Sequence, residues 1–182
     1  MKKIILFLLL FCSLSVMSQE HMSFMGKSMG CSITEFQQYL AKKNILVSRK
    51  NATAPNGERV FEGSFSGEKA TIILWYNERS KKVYRGKAII SRYGEESIKS
   101  ILKDMESKLD LKYGTDEKTE DVFKDDYGNA IRSVRYKIID IGTIDLFVVG
   151  TGYLETDEYM LHIDYHDWLS LAEQTLDEME DL

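Results

Sequence analysis

Thr71-Ile72-Ile73-Leu74-Trp75 and Thr143-Ile144-Asp145-Leu146-Phe147 match in character at four of five positions, 72 residues apart. Each block is rich in β-branched and large apolar residues, the chemistry of a strand buried on one or both faces. Reading outward from the first block, Lys69 to Tyr76 follows Arg59 to Phe65 across Ser66-Gly67, a two-residue hairpin turn. A polar loop, Asn77 to Lys82, then leads to a third strand, Val83 to Ser91. Outward from the second block, Ile131 to Ile139 precedes Thr143 to Val149, and Tyr159 to His166 follows. Each trio of strands has a helix before it.

The first helix opens at Ser32-Ile33-Thr34-Glu35, where the Ser32 hydroxyl and the Glu35 carboxylate can satisfy each other's backbone NH groups. Ile33, Phe36 and Leu40 share one face, and Asn44 suits a left-handed terminator. The second helix, Glu95 to Tyr113, carries the apolar stripe Ile98, Ile101, Leu102, Met105 and Leu109. Its acidic start and its basic end, Lys108 and Lys112, both suit the helix dipole. A last amphipathic helix over Asp167 to Met179 turns Trp168, Leu171, Ala172 and Met179 to a side that can pack. The acidic stretch Thr115 to Asp126 reads as a connection. The fold class is therefore α+β: two tandem α-β-β-β units form an antiparallel sheet of about six strands with helices on one face, plus a C-terminal helix. The units span residues 19–91 and 92–166, and the helix 167–182.

Strand alternation separates the two sheet faces. Ala70, Ile72, Leu74 and Tyr76 point one way, with Tyr84, Gly86, Ala88 and Ile90. Val134, Tyr136 and Ile138, then Ile144, Leu146 and Val148, then Tyr159, Leu161 and Ile163 extend that helix-covered core. The opposite face holds Trp75, Arg85, Lys87, Arg135, Phe147, His162, Asp164 and His166, a mixture of cations and large apolar groups.

Residues 1–18 have the layout of a secretory signal peptide: Lys2-Lys3, then the apolar run Ile4 to Cys12, then a short stretch ending at Ser18. The run is shorter than the roughly 20 residues a membrane span needs, and no other stretch is a candidate. Phe11 is too bulky for the position before a lipid-modified Cys12. The mature chain, 19–182, is then a periplasmic or secreted protein with Cys31 as its sole cysteine, so no intramolecular disulfide holds it. Cys31 reads as a buried small apolar residue. With 24 basic and 29 acidic side chains, the full chain has net charge −5 and a pI near 5.3, which argues against a nucleic-acid binder. That balance conceals two unlike halves. Residues 19–91 hold 12 basic and 6 acidic groups, net +6, and residues 92–182 hold 10 and 23, net −13. A polarised surface of this kind can steer an oppositely charged partner or hold two halves together.

Three motifs carry candidate chemistry. Gly26-Lys27-Ser28 resembles the end of a phosphate loop, but the required first glycine is His21, and no strand precedes it. Asp125-Asp126-Tyr127-Gly128-Asn129 lacks the ligand alternation and distant glutamate of a calcium loop and reads as a turn. His162, Asp164 and His166 emerge on one face at steps of about 6.6 Å, a set that can bind zinc or a similar divalent ion. No carboxylate pair or nucleophile–base arrangement is legible, so catalytic residues are not assigned and no other cofactor is called for.

Phe24-Met25-Gly26 with the helix Ile33 to Lys43, the strand Tyr84-Arg85-Gly86-Lys87-Ala88 and the strand Leu161-His162-Ile163-Asp164-Tyr165 together resemble small exported proteins of unknown function from Gram-negative bacteria. The tandem helix-plus-antiparallel-sheet arrangement is similar to the β-lactamase inhibitor protein fold, a resemblance that implies partner binding on an open, concave sheet face. Three functional expectations follow. The first is a non-enzymatic module that binds a protein or an anionic ligand of the cell envelope, with Trp75 and Phe147 as anchors and Arg85, Lys87, Arg135 and Lys137 steering it. The second is a divalent-metal-binding protein or metal-dependent hydrolase centred on His162, Asp164 and His166. The third is a structural protein that self-associates through the same face.

Overall fold

The computed structural model describes residues 20–124, 130–150 and 158–179. The leader read over residues 1–18 and the turn Asp125–Asn129 lie outside them. The described fold is α+β, with three α-helices, one eight-stranded antiparallel sheet and a separate two-stranded hairpin. The hairpin is β1 (Ser23–Phe24) and β2 (Lys27–Ser28). It is followed by α1 (Ile33–Lys42), β3 (Leu46–Val47) and a 3₁₀ turn, Arg49–Thr53. Then come β4 (Glu58–Phe65), β5 (Glu68–Tyr76), β6 (Val83–Tyr93) and α2 (Glu95–Tyr113). The second half holds β7 (Lys118–Lys124), β8 (Ala130–Ile138), β9 (Gly142–Gly150), β10 (Glu158–Asp167) and α3 (Trp168–Met179).

The strand order is β3-β4-β5-β6-β10-β9-β8-β7. Two meanders lie side by side and meet along β6 and β10, where Gly86 faces Tyr165, Lys87 faces Asp164 and Ala88 faces Ile163. Local chemistry explains the elements. Ser32 Oγ accepts from Glu35 N at 3.2 Å and a Glu35 oxygen accepts from Ser32 N at 3.1 Å, the reciprocal cap that starts α1. Asn44 at φ 59° ends that turn. Ser66 and Gly67, at φ 52° and 93°, give the hairpin turn a twist that matches its strands.

The core lies on one face of the sheet. Ile72, Leu74, Ala88, Ile90, Val134, Ile144, Leu146, Leu161 and Ile163 are buried there against Ile33, Phe36 and Leu40 of α1 and Ile98, Leu102, Met105 and Leu109 of α2. The N-terminal hairpin completes it, with Met22, Phe24 and Met29 inaccessible. The Phe24 ring packs against Phe36, Phe65 and Tyr165. It also lies so close to β6 that a Cβ at Gly86 would fall 2.5 Å from it, so glycine is the residue that lets the hairpin seat. Cys31, half-exposed, packs at the margin of this core, and burial pushes its thiol pKa up.

Four details depart from the sequence reading. The sheet has eight strands, because the acidic connection contains β7 and a two-residue β3 pairs with β4. Charged residues fill β7, and an edge strand needs only one buried side, so its alternation is weak. Tyr84 leaves the core face: Trp75 pairs with Arg85 and Tyr76 with Val83, so Tyr84 is the extra residue of a bulge. The third is the packing side of α3. Ser170 is buried, whereas Trp168, Leu171, Leu176 and Met179 are exposed. The fourth is the start of that helix, since Asp167 ends β10 and is fully buried. It accepts from Met22 N at 2.6 Å and from Ser170 N at 3.0 Å, and it pairs with His21 Nδ1 at 2.8 Å. No helix of the described residues is long and apolar enough to cross a membrane.

Phe24→Ala should therefore cost about 3–5 kcal/mol. Urea unfolding of residues 19–182 checks this, and a loss below about 1 kcal/mol would contradict a core role for the hairpin.

Candidate functional site

On the face away from α1 and α2, cross-strand register arranges side chains in rows. One row runs Val60, Ile73, Lys87, Asp164, Asp145, Arg135 and Thr119 across β4, β5, β6, β10, β9, β8 and β7. A second holds Glu58, Trp75, Arg85, His166 and Thr143. The third holds Thr71, Ile89, His162, Phe147, Ser133 and Asp121.

Asp164 is the centre of the first row. It is 3% exposed and faces three cationic or titratable groups. Arg85 donates to it twice, Nε to Oδ1 at 2.8 Å and Nη2 to Oδ2 at 2.5 Å. Lys87 Nζ lies 2.8 Å from Oδ2, and His166 Nε2 lies 3.5 Å from Oδ1. Burial pushes the Asp164 pKa up, but the bonds from Arg85 and Lys87 outweigh it and hold the carboxyl below its usual range. The same bond raises the Arg85 pKa further.

Lys87 also joins the two repeated aromatics. Its Nζ lies 5.7 Å from the Trp75 ring centroid and 5.6 Å from that of Phe147, so one ammonium sits between rings contributed by the two halves. Trp75 is further held by Arg85, 4.3 Å above its ring, and donates from Nε1 to Glu58 Oε1 at 2.6 Å. Phe147 stacks on His162 at 4.7 Å with an interplanar angle of 15° and meets the edge of Phe123 at 6.1 Å. Both anchor residues are half-buried. Arg135 pairs with Asp145, Nε to Oδ1 at 2.6 Å, and that bond raises its pKa. Lys137 is exposed, with its Nζ 5.9 Å from the Trp168 ring.

The structure thus brings Trp75, Phe147, Arg85 and Lys87 into one cluster, sets Arg135 beside it on Asp145, and leaves Lys137 at its border. His162, Asp164 and His166 do share the face. Asp164, however, is engaged by Arg85 and Lys87, and the His162 ring lies on Phe147 with both nitrogens buried and without hydrogen-bond partners among the described residues. No group of three or more His, Cys, Asp or Glu able to hold a metal occurs among the described residues. The arrangement offers rigid aromatic surface and charge pairs that are already satisfied. Nothing in it resembles an activated nucleophile.

Two grooves flank the cluster. One, of about 350 Å³, runs past Trp75, Tyr76, Tyr84, Glu58 and Gln174. The other, of about 260 Å³, lies between Asp121, Phe123, Arg135, Asp145 and Phe147. Phe123 and Tyr84 escaped the sequence reading. The signal for Phe123 was the alternation Thr119, Asp121, Phe123 inside a charged segment, and Tyr84 was displaced by the bulge.

No family model matches the chain, and comparison with the curated proteins and with the solved structures gives no match.

Burial lowers the His162 pKa to about 4, with the nearby Lys87 charge adding to the effect, and burial lowers that of His166 in the same direction. Both imidazoles are therefore neutral in the folded chain near neutral pH, whereas the unfolded chain takes up protons near pH 6.5. The unfolded state binds more protons in that window, so stability is full above about pH 6.5 and falls as pH drops toward 4. The His162 share is about 2 kcal/mol, reduced from the full linkage value by the ring's partial exposure. Melting curves from pH 7.5 to 4 should show the fall, and His162→Phe should flatten most of it. An unchanged slope in that variant would place the titration elsewhere.

Proposed function

We propose that the mature chain is an exported, non-enzymatic binding module of the cell envelope that takes a protein partner on its open sheet face. The observation that carries the reading is the Trp75–Lys87–Phe147 cluster. Two half-exposed aromatics from register-related positions are fixed on one half-buried lysine, on a face that α1 and α2 leave uncovered. Aromatic anchors held by their neighbours lose little conformational freedom on binding, which is what an interface hot spot needs. The charge arrangement favours a protein over a small anion. Arg85 and Lys87 already neutralise Asp164, and Arg135 neutralises Asp145, so an anion would compete with carboxylates held at 2.5–2.8 Å.

The same register supports the internal repeat. Lys87 and Asp164 face each other on the central strand pair, and Trp75 on β5 and Phe147 on β9 each lie one strand beyond that pair, on opposite sides of the seam. A two-fold relation between the meanders would bring Trp75 onto Phe147, and duplication of a unit of one helix and four strands, rather than the three strands read from the sequence, accounts for the paired anchors.

The test is capture from a cell-envelope extract by immobilised mature chain. A Trp75→Ala, Phe147→Ala double variant that keeps its melting temperature within a few degrees should lose the captured partner by about tenfold or more, the effect of removing two hot-spot residues. Undiminished capture sinks the proposal. Sedimentation at two concentrations separates a foreign partner from a second copy of the chain.

A further inference from the structure

The two ends of the eight-stranded sheet are finished differently. At the β4 end, β3 covers only Phe61 and Glu62, and the following 3₁₀ turn closes much of the rest. Ser48 N donates to Val60 O at 2.9 Å, and Asn51 Oδ1 accepts from Val60 N at 3.0 Å. Those bonds use the polar groups that would recruit another strand. At the other end β7 is seven residues long, and no described strand lies beyond it.

The direction of its free groups follows from its bonds. Lys137 N donates to Glu117 O at 3.1 Å, so in this antiparallel pair residues 117, 119, 121 and 123 turn their main-chain groups toward β8. Glu120 and Val122 therefore turn theirs outward. Among the described residues Val122 N meets only its neighbour's side chain, Asp121 Oδ1, at 2.7 Å. Val122 and Phe123 are 64% and 42% exposed, unusual for a strand that ends a sheet.

Side-chain chemistry along this edge is specific. Glu120 is held by Arg132 and Lys118 by Asp110, while Asp121 has no salt bridge among the described residues. Asp121 and Phe123 lie on the open face and line the 260 Å³ groove that continues to Phe147. We infer that the outer edge of β7 adds an extended segment of a partner protein, antiparallel to Glu120–Phe123. Its basic side chains lie opposite Glu120 and Asp121, and its apolar ones opposite Val122 and Phe123. This rests on the binding role proposed above and names its mode: main-chain bonds supply affinity, and the groove beside Phe123 reads alternate side chains. The surplus of acid in residues 92–182, net −13, favours a basic segment over a like-charged one. A second β7 paired about Asp121 would set two carboxylates face to face, which is destabilising in a sheet.

The probe is a fluorescein-labelled hexapeptide, Thr-Val-Val-Lys-Lys-Thr, compared with Thr-Val-Val-Glu-Glu-Thr by anisotropy against the mature chain. The lysine peptide should bind about tenfold more tightly or better. Val122→Pro removes an outward NH without touching the β7·β8 ladder and should weaken binding about tenfold, with the melting temperature little changed. Asp121→Lys should reverse the preference between the two peptides, and it decides the matter alone if the proline variant does not fold. A Leu111→Ser chain, changed at an exposed site on α2 with no part in either surface, should bind the peptide within about twofold of the parent. No saturable binding of the lysine peptide at millimolar concentration, or equal binding of both peptides, overturns the inference. A dimer abolished by Val122→Pro, with no peptide binding, also overturns it and assigns the edge to a second copy. Loss of peptide binding while Trp75- and Phe147-dependent capture persists removes the edge and leaves the open-face proposal standing.

Discussion

A carboxylate buried at the seam of a sheet is tolerable only if cations come with it, and Asp164 sets that condition for the whole open face. It is almost fully buried where β6 and β10 join the two meanders. Removing an ion from water costs several kcal/mol unless good geometry and full hydrogen bonding offset it. Arg85 and Lys87, two residues apart on β6, supply both, and in doing so they lose the freedom to point elsewhere. Their positions then fix the aromatics. Arg85 lies over Trp75, and Lys87 between Trp75 and Phe147. One buried charge thus orders four side chains that the chain contributes from widely separated segments.

A second buried carboxylate, Asp167, does for the ends of the chain what Asp164 does for the seam. It ends β10, caps the start of α3 through Ser170 N, and receives Met22 N and His21 from the N-terminal segment. Asp167 Oδ2 and Ser170 Oγ both address the same His21 ring nitrogen, Nδ1. A nucleophile–base relay would need the serine on the other nitrogen, so the trio is a structural latch. It keeps Phe24 seated in the core and closes the fold over a sequence separation of 146 residues.

Much of this is legible in the sequence itself. The helix Glu95–Tyr113 was readable to the residue because its apolar stripe, acidic start and Gly114 end all agree. The six long core strands were readable because Ile, Leu and Val alternate or run continuously in them. β7 was not, because Lys-Thr-Glu-Asp-Val-Phe-Lys looks like a solvated connection: an edge strand takes half its definition from a neighbour that the local sequence does not contain. The bulge at Tyr84 escaped for a similar reason, since an extra residue is visible only against its partner strand. At the site, alternation correctly put Trp75, Phe147 and the cations on one face. It could not show that Asp164 and Asp145 would claim three of those cations, because pairing across strands depends on register.

Register also gives the uneven charge of the two halves a place in space. The strand order puts β3 to β6 on one side of the seam and β7 to β10 on the other, so the basic half and the acidic half occupy opposite ends of one sheet. Part of the imbalance is consumed internally. Arg85 and Lys87 with Asp164, and Lys82 with Glu173, each join a cation of the first half to a carboxylate of the second. Opposite charge at the seam favours pairing β6 with β10 over pairing either strand with its own kind, where like charges would be opposed. Of the acid that remains, Glu120 and Asp121 lie on β7, at the far end of the sheet from the basic half. An edge strand is usually protected from stray partners by charge; on β7 Lys118 is bound by Glu106 and Asp110 and Glu120 by Arg132, which leaves Asp121 as the acid without a salt bridge among the described residues, a charge that repels acidic segments and admits basic ones.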